Sequence, residues 1–298
     1  MLFLVVLEYA ILASTFTIAK IALNYAYPFF LIGFRMTVAG CLLLGYLYLF
    51  RRSHLKIATK DYSRFFSTAL FHIYLAFMLE FWALQYVPSA KTVIIYALTP
   101  FFAALFSYVL HREKLSPKKI LGIVVGCTGL VPILAGQSGN ESLLLANTSF
   151  PEAVLLVAVA CACYAWFIIK DLMRKGYHLG LINGVAMLIG GLMSFVTSFF
   201  FEGSWSEAVI AWEPFLFWTL LLVMVANVIS YNLYGWLLQT YSITFMTVAG
   251  FLCPIFGAFF GWLFLNEAIT WHYCLALVLI TSGLLLFYKE ERYSAKKK

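Results

Sequence analysis

Ten apolar runs, each near the length of a membrane-crossing helix, follow one another along this chain: residues 2–24, 28–50, 65–86, 89–110, 117–136, 152–171, 179–201, 214–238, 243–265 and 271–288. A bilayer core asks for about 20 apolar residues in a helix. Within lipid only helices and closed barrels satisfy every backbone polar group. Barrel strands would alternate apolar with polar residues, and these runs do not. The chain is 63% hydrophobic and 11% charged, against about 25% charged in a soluble domain. The predicted fold is an all-α integral membrane protein of ten transmembrane helices, with short connections that make neighbours antiparallel. The first run carries Glu8 and Lys20 and lacks a basic leader and a small-residue cleavage site, so it is expected to be a retained span.

The charges are sorted by side. If the spans alternate, Arg51, Arg52, Lys56, Lys60, Arg64, Arg112, Lys114, Lys118, Lys119, Lys170, Arg174, Lys175 and the tail residues Lys289, Arg292, Lys296, Lys297 and Lys298 fall at one end. Glu141, Glu152, Glu202, Glu207, Glu213 and Glu267 fall at the other. The positive-inside rule puts both termini in the cytoplasm, with a bacterial inner membrane as the expected location. The formal charge of +7 is thus a matter of orientation, and nucleic acid is not an expected partner. The six cysteines lie inside apolar runs without zinc or redox spacing. No metal-ligand set, phosphate loop or nucleophile–base group occurs, so neither an enzyme nor a cofactor is expected.

The end of the chain repeats its middle. Trp82, Gln85, Pro100, Glu113 and Gly129 recur at one constant spacing as Trp236, Gln239, Pro254, Glu267 and Gly283. The first half has five spans, so the second half starts from the opposite side and the repeat is inverted. Inverted repeats with paired helix interruptions are the sequence mark of carriers whose site lies between the halves. Pro100 and Pro254, near the centres of spans four and nine, are the expected hinges, because proline removes a helix hydrogen bond. Residues 1–136 and 152–288 form the two modules, 137–151 a polar external linker with two N-x-[ST] sequons, and 289–298 a basic cytoplasmic tail.

The residues that recur carry a family resemblance. Ser89-Ala90, then Leu98-Thr99-Pro100-Phe101-Phe102-Ala103-Ala104, Glu113-Lys-Leu-Ser-Pro, Gly122 and Gly129 resemble the EamA module of the drug/metabolite transporter superfamily. The second copy has Leu252-Cys253-Pro254-Ile255-Phe256-Gly257-Ala258, Glu267-Ala-Ile-Thr and Gly283, with Ala276 in place of the Gly122 equivalent. The resemblance implies a secondary transporter of amino acids, nucleotide derivatives, sugars or similar solutes, working by alternating access.

Charges within the bilayer are costly and default to function. Glu80 lies about 9 Å from the outer end of its span at ~1.5 Å per residue, with Arg35 and Lys20 at comparable depth. The three are expected to share an outward vestibule. Lys91, at the outer end of span four, reads as a snorkelling residue. Glu8 and His72 form an inner layer, read either as a proton relay or as a buried hydrogen-bonded pair. Tyr96, Tyr164 and Trp166 lie deep in their spans. Asn227, Ser230, Tyr231 and Tyr234 share one face of span eight, which lines either a helix contact or the cavity. Glu80, Tyr96, Tyr164, Trp166, Asn227, Tyr231, Lys20 and Arg35 are the expected solute contacts.

The small residues Ala103, Ala104 and Ser107, Gly257, Ala258 and Gly261, and Gly122, Gly126 and Gly129 suit close helix packing or contact between two copies of the chain. An aromatic cavity with one carboxylate suits a small organic metabolite, an amino acid or amino-acid derivative first. S-adenosylmethionine or another nucleoside-linked metabolite is the alternative, and a proton-coupled exporter of lipophilic cations is a further one.

Overall fold

The computed structural model describes residues 1–83, 86, 95–96, 98–112, 116–129, 131, 150–205, 207–265 and 271–296. All ten apolar runs carry helix: α1 (Leu2–Ala22), α2 (Pro28–Phe50), α3 (Thr59–Ala83), α4 (Thr99–His111), α5 (Pro117–Thr128), α6 (Phe150–Arg174), α7 (Leu179–Phe201), α8 (Trp212–Leu237), α9 (residues 243–265) and α10 (Trp271–Lys296). Among the described residues, α2, α3, α6, α7 and α8 are long and apolar enough to cross a membrane, and extended pairing is confined to a bridge between Ala26 and Val209. Phe199, Phe200 and Phe201 are 60%, 75% and 79% exposed, an outward apolar surface that suits lipid and would be a liability in water. Gln85, Lys91, Glu113, Glu267, Pro132, the sequons and the side chain of Lys20 lie outside the described residues.

The two ends are chemically distinct, as the charge pattern predicts. At the basic end, Lys175 bonds Asp61, Tyr177 Oη donates to Asp61 Oδ2 at 2.8 Å, and Lys118 pairs with Glu290 at 3.7 Å. At the acidic end, Glu202 closes the junction between the halves. Its two carboxylate oxygens accept from the backbone N–H groups of Phe29 and Phe30 at 2.7 and 2.9 Å. A carboxylate there satisfies donors that the first turn of a helix leaves free and suits the positive end of the helix dipole. Glu202 ends α7 and Pro28 begins α2, so these two helices run antiparallel. That is the inverted relation expected of the halves.

Glycine sets how closely the halves approach. A Cβ on Gly40 of α2 would lie 2.6 Å from Leu188 N of α7, and one on Gly191 of α7 would lie 2.7 Å from Thr37 N of α2. The same construction joins α5 to α10, where a Cβ on Gly283 would lie 2.6 Å from Gly126 N. The glycine stripe of α5 is therefore used within the chain. Each helix of these two pairs meets its own counterpart in the other repeat. Around them, α1 packs on α8 and α9, and α6 packs on α3 and α4, which is the same arrangement seen from the other half.

Among the described residues, two spans in each repeat are broken. A π-helical segment, Ala69–Leu75, interrupts α3, and another, Val223–Ser230, interrupts α8. Their starts are separated by the spacing that separates Pro100 from Pro254. The prolines are placed differently from the central kinks that the sequence predicts. Leu98 forms a turn and Pro100 lies in the first turn of α4, where a missing N–H costs nothing. The Tyr96 carbonyl, which would have bonded the residue at Pro100, accepts from Thr99 Oγ1 instead. Pro254 follows a 3₁₀ turn, Gly250–Leu252, in which the Gly250 carbonyl accepts from Cys253 N. Each proline thus begins a fresh helical segment.

Candidate functional site

The broken spans surround two adjoining polar groups. The first joins α2, α3 and the residues before α4. Arg35 is 4% exposed and Glu80 9% exposed, and the Arg35 guanidinium sits over the Phe77 ring at 4.9 Å. Tyr96 is a side-chain neighbour of Glu80. Among the described residues no salt bridge joins Arg35 to Glu80, and Tyr231 is a neighbour of both. Arg35 Nε is buried without a hydrogen-bond partner among the described residues. A separated cation and anion with spare hydrogen-bonding capacity can each take one end of a zwitterion.

The second group joins α1, α3, α6 and α8. Ser230 Oγ donates to Glu8 Oε1, and Glu8 Oε2 has no partner among the described residues. The His72 ring lies 4.6 Å from that of Trp166 and 5.1 Å from that of Tyr231. Both its nitrogens lack partners among the described residues. Trp166 also stacks at 4.3 Å on Tyr234. The π-helical segment of α3 carries His72, and that of α8 ends on Ser230. A π turn rotates the helix face, which is one reason such turns gather at functional sites.

The structure brings together Glu80, Tyr96, Arg35, Tyr231, Trp166, His72 and Glu8. Tyr164 points elsewhere, with its ring against Phe71 at 5.2 Å and Phe106 at 5.6 Å. Asn227 is fully buried with its Nδ2 on Met36 Sδ at 3.1 Å, which places it in the contact of α8 with α2 and α7. Glu8 and His72 are not hydrogen-bonded to each other; Glu8 bonds Ser230. Among the described residues no group of three metal-ligating side chains occurs.

At the basic end the first repeat's loop meets the second's. Ala58 N donates to Tyr177 Oη at 3.1 Å, and the rings of His54 and His178 lie 5.1 Å apart. His178 caps α7, its Nδ1 accepting from Gly180 N at 3.1 Å. Burial, then the positive charge of His54 and of Arg51, lowers the pKa of His178 below its ordinary 6.5. Sequence reasoning missed the Asp61–Lys175–Tyr177 clasp and the Glu202 cap, because each joins loops more than a hundred residues apart.

The profile of the EamA-like transporter family matches residues 1–135 and 150–289, one match to each repeat. The chain belongs to the EamA-like transporter family. This EamA protein is 34% identical over 295 residues to an S-adenosylmethionine/S-adenosylhomocysteine transporter of Chlamydia muridarum, covering 97% of this chain and 92% of that one. It is equally 34% identical to the transporter of the same description from Chlamydia trachomatis serovar L2, covering 97% and 89% of the two chains. A solved crystal structure superposes with a TM-score of 0.70 at 17% identity, over 95% of this chain and 93% of its own. That likeness is one of fold. The EamA family is one of membrane transporters, and of the two polar groups the one built on Glu8, His72, Trp166 and Ser230 draws on both repeats.

Proposed function

We propose that this EamA protein is a secondary carrier of S-adenosylmethionine and S-adenosylhomocysteine. The observation that carries the reading is the near full-length similarity to the two chlamydial transporters. It favours the nucleoside-linked alternative over the amino acid or amino-acid derivative that the sequence placed first. The site chemistry supports it. Both solutes have an α-amino carboxylate, which suits the separated Glu80 and Arg35. Both have a flat base, which suits the aromatic surface of Trp166 and Tyr231. S-adenosylmethionine adds a sulfonium cation, which suits aromatic faces and a carboxylate.

Alternating access is the mechanism proposed, and the architecture suits it. The α2–α7 and α5–α10 contacts are backbone-close and act as fixed seams. The breaks in α3, α4, α8 and α9, with Pro100 and Pro254 at two of them, supply the hinges. Both termini face the cytoplasm of a bacterial inner membrane in this reading, as the basic end requires. The test is uptake of labelled S-adenosylmethionine by cells expressing the chain. Inhibition by S-adenosylhomocysteine but not by methionine or lipophilic cations is the expected result. Equal inhibition by lipophilic cations would instead favour a drug exporter.

A further inference from the structure

The tryptophan of the recurring Trp-x-x-Gln pair occupies different surroundings in its two copies. At the basic end a groove of about 390 Å³ is lined by His54, Asn232, Trp236, Gln239 and residues 176–180. Trp236 is 41% exposed. Gln239 is exposed, and its side chain makes no hydrogen bond among the described residues. Asn232 is held in place, with Nδ2 donating to the Val228 carbonyl at 2.8 Å and Oδ1 accepting from Asn183 at 3.4 Å. At the acidic end the first-copy indole of Trp82 is covered, by Tyr86 at 5.0 Å and by Phe150 at 5.8 Å. The second-copy indole is thus open to a groove, while the first-copy indole is half-buried against Tyr86 and Phe150.

We propose that Trp236 and Gln239 form a second, shallower solute subsite at the basic mouth, and that it takes a purine. An exposed indole face stacks a flat base without regard to the rest of the solute. A carboxamide presents a donor beside an acceptor, which matches the amino group and neighbouring ring nitrogen of adenine. The groove falls within the range of ~300–1,000 Å³ typical of small-molecule sites. The purine assignment rests on the S-adenosylmethionine reading, whereas the subsite itself rests on the groove and the repeat.

Two measurements on the full-length protein test it. In proteoliposomes of known orientation, Trp236→Ala should raise the KM for S-adenosylmethionine at the basic side about tenfold. The KM at the acidic side should be unchanged. Trp236→Phe should keep most of the affinity, and Gln239→Leu should raise the basic-side KM several-fold. In nanodiscs, adenosine should bind the wild type and lose that binding in Trp236→Ala. Transport of S-adenosylmethionine with no change in either measurement would overturn the subsite and leave the cargo reading intact. A KM raised equally on both sides, with Phe no better than Ala, would likewise overturn it, as a purely structural role. Adenosine binding lost in Trp236→Ala, in a protein that carries no S-adenosylmethionine, would support the subsite and sink the cargo instead.

Discussion

Ser230 donates its hydroxyl proton to Glu8 Oε1 at 2.5 Å, across the boundary between the two repeats. This bond ties the π-helical end of α8 to α1. Removing the hydroxyl strips the buried carboxylate of a bond it cannot replace from water. Ser230→Ala should lower stability by about 1–3 kcal/mol, read as an earlier thermal melt of the purified protein. Ser230→Thr should retain most of it. An unchanged melt for the alanine variant would mean the bond contributes nothing.

The α5–α10 seam gives a steric prediction. A Cβ on Gly283 would meet Gly126 N at 2.6 Å and the Gly122 carbonyl at 2.7 Å, all backbone, whereas one on Gly45 would meet nothing within 4 Å. Gly283→Ala should destabilise by about 1–3 kcal/mol through overpacking. Gly45→Ala should be neutral or stabilise by up to about 1 kcal/mol through helix propensity. The comparison is made by melting both variants beside the wild type.

Acid should loosen the basic end through His178. Its pKa is lowered in the fold by burial and by the charge of His54 and Arg51, so the unfolded chain binds the proton more readily. The stabilising contribution is complete above the ordinary value of 6.5. It is lost as pH falls through the lowered native value. Protonation also removes the lone pair that accepts from Gly180 N. His178→Asn keeps a capping acceptor and does not titrate, so it should flatten the pH dependence of melting on the acid side of 6.5. A variant as acid-sensitive as the wild type would assign that sensitivity elsewhere.

Charge should separate the two cargoes at Glu80. S-adenosylmethionine carries one more positive charge than S-adenosylhomocysteine, and Glu80 is a buried carboxylate beside Tyr96. Glu80→Gln should weaken binding of both solutes by about tenfold, as loss of a charged hydrogen bond of ~1.5–3 kcal/mol to their shared α-ammonium requires. S-adenosylmethionine should lose more, because its sulfonium adds a second positive charge that the carboxylate no longer attracts. Competition binding with both ligands measures the ratio, and an equal loss for both would take the sulfonium away from Glu80.

The helices, their antiparallel order and the sorting of charges were legible because lipid imposes them on composition. Glu80, Arg35 and Tyr96 were legible for a related reason: a charge or a deep hydroxyl in an apolar run has few uses. The π-helical turns were not legible, since a shift of one residue in hydrogen-bond register leaves no mark in residue type. Tyr164 and Asn227 show the limit of depth as a guide. Both lie deep in their spans, but helix rotation turns Tyr164 toward Phe71 and Phe106 and Asn227 toward Met36. Glu202 read as an acidic loop residue because its partners, Phe29 and Phe30, are backbone groups in the other repeat.

The decisive measurement is uptake of labelled S-adenosylmethionine into proteoliposomes that contain S-adenosylhomocysteine. Internal S-adenosylhomocysteine should accelerate uptake. Because the exchange moves one net positive charge inward, an interior-negative potential should accelerate it further, with ~2.3 kcal/mol available per 100 mV. Uptake no faster than in protein-free liposomes, with or without the internal solute, would contradict the assignment of this protein as a carrier of these two metabolites.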